Sequence, residues 1–94
     1  MPQIETKLKE LGMELPPTPQ PVASYVPAVR TGKLVFTAGQ LPKKEGTLVA
    51  TGLLGSGVTI EEGKEAARLC ALNALSAAKS VIDDLDQVTR VVKL

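Results

Sequence analysis

Three arginines, one cysteine, a run of aspartates and a glycine-bearing loop are the parts of this sequence able to do chemistry, and each is limited by its neighbours. Arg30, Arg68 and Arg90 could each hold a carboxylate through the planar guanidinium fork. The sequence supplies no second group converging on any of them, so surface ion pairing is the default reading. Cys70 stands among apolar residues at helical spacing, where cysteine is usually a small inert hydrophobe. Asp83, Asp84 and Asp86 lack the spacing and the glycine of a calcium loop and read as a solvated helix end, so no metal is expected. Gly52-Leu53-Leu54-Gly55-Ser56-Gly57 comes near a phosphate loop, but Val58-Thr59 follow where a lysine and a Ser/Thr are needed, and its glycine order is not that of a dinucleotide fingerprint. It reads as a plain loop. With no histidine, the chain cannot build His-containing zinc sites, Ser-His-Asp or Cys-His catalysis, or use the commonest near-neutral base.

The 94 residues leave room for one domain, of a size that buries a modest share of its surface. Of these residues 44% are hydrophobic, yet only Tyr25 and Phe36 are aromatic, so the core must be built of small aliphatics. Apolar surface is left over for contact with other subunits, and an oligomer is expected. A net charge of +1 with the two signs interspersed gives no field for gathering phosphates, which disfavours nucleic acid. Cys70 alone cannot form an internal disulfide, the start Met1-Pro2 does not open a signal segment, and no run approaches a membrane span. A cytoplasmic protein with no membrane partner is the expectation.

The candidate residues must be positioned by a few short elements. Ile4, Leu8 and Leu11 at helical spacing, with Gly12 behind them, predict a short amphipathic helix. Pro16-Pro17-Thr18-Pro19-Gln20-Pro21 then forms a stiff extended connector. Tyr25 to Val29 and Lys33 to Ala38 predict a hairpin turned at Thr31-Gly32, with an edge or bulge at Pro27. Lys43 to Gly46 reads as an exposed turn and Thr47 to Thr51 as a short third strand. Thr59 and Glu62 form a capping-box pattern that opens a helix over about 60–83. At about 100° per residue, Ala67, Cys70, Ala71, Ala74, Ala78 and Val81 fall on one stripe, predicted to sit on a sheet. Leu69 and Leu72 project elsewhere, and the N-terminal helix is the candidate to cover them. Val88 to Leu94 is Val-rich, as a strand covered on both faces would be.

From Tyr25 to Pro42 the chain reads Tyr-Val-Pro-Ala-Val-Arg-Thr-Gly-Lys-Leu-Val-Phe-Thr-Ala-Gly-Gln-Leu-Pro. This stretch resembles the opening hairpin of RidA/YjgF proteins, in which a tyrosine starts the first strand and Val-Phe-x-Ser-Gly-Gln-x-Pro closes the second. The likeness continues through Thr51-Gly52, Thr59-Ile60-Glu61-Glu62, the Ala-rich helix with Asn73, and Leu85-Asp86-Gln87-Val88 into Arg90-Val91-Val92. Residues 1–22 then form an N-terminal helix and Pro-rich connector, and 23–94 the N-terminal part of a RidA-like domain.

The resemblance implies an α+β, chorismate mutase-like fold, a mixed sheet packed by helices, in homotrimers with clefts between subunits. It implies hydrolysis of reactive enamines and imines such as 2-aminoacrylate to 2-keto acids and ammonia, with no metal or organic cofactor, on a small ligand bearing a carboxylate. Carried over by residue, Tyr25 lines the cleft, Gly39 lets its backbone approach the substrate, and Ala38 stands where many members have serine. The family's carboxylate-gripping arginine and water-positioning glutamate lie in later segments with no counterpart before Leu94, so no catalytic residue is assigned and a chain continuing past Leu94 is expected. The alternative is a non-catalytic ligand-binding or interaction module of the same fold, and ribonuclease activity ranks last.

Overall fold

The computed structural model describes residues 3–21 and 23–94; Met1, Pro2 and Val22 lie outside the described residues. The elements run α1 (Gln3–Glu10), β1 (Ala28–Thr31), β2 (Leu34–Thr37), β3 (Lys43–Lys44), β4 (Thr47–Leu48), β5 (Leu53–Leu54), β6 (Gly57–Val58), α2 (Ile60–Ile82) and a 3-10 helix (Leu85–Gln87). The strands pair as β1 with β2 and β3 with β4, both antiparallel, and β5 with β6, parallel.

The capping box starts α2 as its residue types dictate. The Thr59 hydroxyl accepts from the Glu62 N–H at 3.1 Å while Glu62 Oε1 accepts from the Thr59 N–H at 2.9 Å, so two otherwise orphaned donors are satisfied. Gly63 lies one residue inside this cap. A Cβ built there would meet Leu54 Cδ2 at 2.5 Å, but Leu54 is 66% exposed and its terminal methyl is free to rotate away. Gly63→Ala is therefore expected to stabilise the chain by up to about 1 kcal/mol, from the helix propensity gained. A fall in the thermal midpoint would mean that Leu54 cannot yield.

The β1–β2 hairpin reaches around a two-residue turn at Gly32–Lys33 rather than at Thr31-Gly32, because Thr31 is already paired with Leu34. Gly32 carries φ +57°, as the first central position of a type II′ turn requires. The first strand starts at Ala28 instead of Tyr25, since Pro27 has no N–H to give the ladder; its carbonyl still accepts from the Ala38 N–H at 2.9 Å. Opposed residues share a face, so buried Ala28 and half-buried Val35 point inward, while Val29, Leu34 and Phe36 form an exposed apolar outer face.

The core lies where α2 packs on β1, β2 and β3, and the face it uses differs from the predicted stripe. Ala67 and Ala71 are exposed, and Cys70, Ala74, Ala78 and Val81 are half-buried. The buried residues of the helix are Leu72, Asn73, Ser76, Ala77 and Ile82. Asn73 and Ser76 enter this interior because each bonds a backbone carbonyl of another segment: Asn73 those of Leu41 and Lys43, Ser76 that of Pro16. Leu72 is buried and Leu69 half-buried, but α1 is not their cover, since it packs against the 3-10 helix.

Docking of α1 there has an electrostatic cause. Asp86 accepts from the Gln3 and Ile4 N–H groups at 2.6 and 2.8 Å, so a carboxylate sits at the positive end of α1. Glu5 pairs with Lys79 of α2. Val88 to Leu94 forms no ladder among the described residues, against the strand expected there, and Val91 and Val92 are exposed. Its valines suit a strand, but β propensity states only what a segment can do once it is paired.

Candidate functional site

The residues singled out by resemblance gather at the open end of the β1–β2 hairpin, opposite its turn. The bond from the Ala38 N–H to the Pro27 carbonyl closes that end, with Tyr25 two residues before Pro27 and Gly39 one after Ala38. Tyr25 is 42% exposed, Ala38 half-buried and Gly39 exposed. Nothing lies within 4 Å of where a Gly39 Cβ would be, and its φ is not in the left-handed region. Glycine there is not demanded by this chain's own backbone or packing.

Around Gly39 the chain is tied down. Gln40 Nε2 donates to the Ala38 carbonyl at 3.0 Å, the Lys43 N–H donates to the Leu41 carbonyl at 2.8 Å, and the Val49 N–H donates to the Pro42 carbonyl at 3.0 Å. Asn73, only 5% exposed, reaches from α2 and gives its amide group to the carbonyls of Leu41 and Lys43, each at 3.1 Å. Among the described residues, the Gly39 backbone N–H and carbonyl have no protein partner. The same holds for the backbone groups of Gln40 and the N–H of Leu41, so the turn is fastened on either side of a short stretch whose hydrogen-bonding groups are free.

The other candidates take structural places. Arg30 Nε donates to the Gly32 carbonyl at 3.1 Å, bracing the hairpin turn, and Arg68 pairs with Glu65 on the exposed side of α2 at 3.7 Å. Arg90 is exposed in the unpaired segment after the 3-10 helix. Burial pushes the Cys70 thiol above its ordinary range, which keeps it protonated and a poor nucleophile. No three His, Cys, Asp or Glu side chains among the described residues group as metal ligands. Two shallow concavities lie elsewhere: one of about 250 Å³ beside Thr51, Val58 and Glu62, and one of about 370 Å³ between the N-terminal segment and α2, beside Glu5, Pro16, Lys79 and Asp83. Tyr25, Ala38 and Gly39 line neither of these two.

Sequence reading missed two residues. Asp86 looked like a helix stop but caps α1, and the backbone N–H of Gln3, followed by that of Ile4, holds its carboxyl below the usual range. Thr59 does the same to Glu62, through its backbone N–H and then its hydroxyl. Because folding lowers both pKa values, the stabilisation each gives is complete above the unfolded carboxylate value of about 4 and is lost as the pH falls through the lower folded values. Acid titration followed by hydrogen exchange should release the α1 amides and the first turn of α2 in that window, and Asp86→Asn should make α1 exchange faster at neutral pH. Unchanged α1 protection in the variant would show that Asp86 does not hold it. Asn73 was noticed only as part of a resemblance, though a lone Asn in an Ala-rich helix is itself a signal of a remote polar partner.

Hairpins and an Ala-rich helix packed in this way make an α+β protein. The chain belongs to the family described as "YjgF/chorismate mutase-like, putative endoribonuclease", whose model matches residues 5–94. Protein TCP17 of Trypanosoma cruzi is 41% identical over 92 residues, which are 98% of this chain and 58% of that protein. The crystal structure of Atu1372, a protein of unknown function from Agrobacterium tumefaciens, is similar at TM-score 0.80 and 40% identity, over 94% of this chain and 52% of that one. A "putative endoribonuclease" from Shewanella oneidensis MR-1 is similar at TM-score 0.86 and 33% identity, over 93% and 58%. The chain thus spans between 52% and 58% of the length of these relatives. No helix among the described residues is long and apolar enough to cross a membrane.

Proposed function

We propose that the protein to which these residues belong hydrolyses reactive enamines and imines of the 2-aminoacrylate type, adding water across C=N and releasing a 2-keto acid and ammonia. The observation that carries this reading is the open end of β1–β2, closed by the bond from the Ala38 N–H to the Pro27 carbonyl, where Tyr25 leads into the first strand and the unpartnered backbone groups of Gly39 follow the second. Fixed donors and acceptors of this kind hold a small polar ligand at little further entropic cost. In the resemblance, the arginine that grips the carboxylate and the glutamate that positions water come from segments without a counterpart here. Tyr25, Ala38 and Gly39 would then supply one wall of the cleft, and the fork would come from elsewhere in the assembly.

A homotrimer is part of this reading. A monomer of 9.9 kDa is expected to expose about 5,200 Å², and this chain exposes 7285 Å². Part of the excess is the outer face of Val29, Leu34 and Phe36, a surface that suits a subunit contact. Sedimentation equilibrium should give a trimer, and a stable monomer would contradict it. The enzymatic claim is tested by clearance of 2-aminoacrylate generated by a pyridoxal-phosphate-dependent dehydratase. Faster clearance is expected, reduced modestly by Tyr25→Phe; no acceleration sinks the claim, and unchanged kinetics in the variant remove Tyr25 from the cleft.

Ala38 favours a second reading, a ligand-binding module without turnover, since it removes a hydroxyl from the expected wall. A rise in thermal midpoint with 2-oxobutanoate but no clearance of 2-aminoacrylate would select it. Ribonuclease activity, which the names of the family and of one relative carry, is less well supported by a chain with no histidine and a net charge of +1.

A further inference from the structure

We infer that Asn73 is a positioning residue for the Gly39 turn, and that the amide it extends from α2 sets where the free backbone groups of Gly39 point. The inference rests on the reading that Gly39 meets the ligand. Asn73 is 5% exposed and thirty-odd residues removed from its partners, yet it contacts no other polar side chain through its amide nitrogen: both bonds, at 3.1 Å, go to the Leu41 and Lys43 carbonyls. Those carbonyls flank Pro42, two and four residues beyond Gly39. The Leu41 carbonyl also accepts from the Lys43 N–H, so Asn73 reinforces a turn the backbone has already begun. On the near side Gln40 is folded back onto the Ala38 carbonyl, and the Ala38 N–H is tied to Pro27. Gly39 and the Gln40 backbone are the loose stretch between two anchored ends, and among the described residues Asn73 is the anchor that comes from the helix.

An amide is suited to this task because its NH₂ has two hydrogens to donate, one for each carbonyl. A carboxylate of the same shape has none and would face two carbonyl oxygens. Placement of reacting or binding groups is sensitive at the scale of an ångström, so a turn that relaxes by that much loses its ligand before it loses its fold. Ser76 provides a control on the same helix. It is also buried, at 3% exposure, and donates to the Pro16 carbonyl at 2.7 Å, far along the chain from Gly39.

The test compares Asn73→Asp, Asn73→Ser and Ser76→Ala in the full protein, following the Gly39 and Gln40 amide signals, the affinity for 2-oxobutanoate and the thermal midpoint. All three variants should lose some stability. Both Asn73 variants should move the Gly39 and Gln40 signals and weaken 2-oxobutanoate roughly tenfold or more, whereas Ser76→Ala leaves both unchanged; Asn73→Ser serves if the aspartate variant does not fold. Equal losses of affinity in Ser76→Ala and the Asn73 variants, or signals that do not move in the latter, would overturn the inference and leave Asn73 as packing. If the unaltered protein binds no 2-oxobutanoate, the functional reading fails, and the amide signals still decide whether Asn73 sets the turn.

Discussion

Leu85→Ala should destabilise the chain by about 2–4 kcal/mol, in the lower part of the range for truncating a buried leucine to alanine. Leu85 is only 2% exposed, and it opens the 3-10 helix that touches both α1 and α2. Its carbonyl accepts from Val88 and the Gln87 side chain reaches the Ile82 carbonyl, so backbone bonds hold this corner in place and it cannot collapse to fill the space. The remaining cavity would lie under α1, whose other attachments include Asp86 and the Glu5–Lys79 pair. For a domain of this size the loss corresponds to a fall in thermal midpoint on the order of 10–25 °C, followed by circular dichroism. A shift of a degree or two would mean that the corner carries little of the core.

The second large effect is overpacking at Ala77. This residue is completely buried, on the side of α2 turned to the interior, and Ala77→Leu adds three carbons to a site with no free surface. The expected loss is about 1–3 kcal/mol. Ala71→Leu makes the same chemical change on an exposed position of the same helix and should be within about 0.5 kcal/mol of the parent. Urea denaturation of the pair tests the orientation of α2 directly: equal losses, or a larger loss at Ala71, would put the predicted alanine stripe back on the sheet.

That pair also shows where the sequence was legible and where it was not. The start of α2 could be read because a capping box is local, with both partners within four residues, and the structure has it at Thr59 and Glu62. The hairpin was legible for the same reason, with its turn displaced by one residue. The face of α2 was not, because Ala and Leu occur on nearly all sides of it. What selects the buried face is a pair of polar residues, Asn73 and Ser76, whose partners at Leu41, Lys43 and Pro16 lie 30 to 60 positions away. Hydrophobic spacing assigns such residues to solvent. Asp86 escaped for a like reason, with its partners more than 80 residues distant at Gln3 and Ile4. Val88 to Leu94 shows the converse error, since β propensity states only what a segment can do once an edge is available.

For the candidate site, the identity of Tyr25, Ala38 and Gly39 came from the resemblance, and their shared position from the hairpin. The fastening of the turn by Gln40 and Asn73 could be seen only in three dimensions.

The most direct measurement is a titration of the isotopically labelled protein with 2-oxobutanoate, reading backbone amide shifts residue by residue. The largest changes should fall at Tyr25, Ala38, Gly39 and Gln40, around the open end of the hairpin. Changes centred instead on Glu5, Lys79 and Asp83, in the concavity between the N-terminal segment and α2, would place the ligand elsewhere and contradict the assignment.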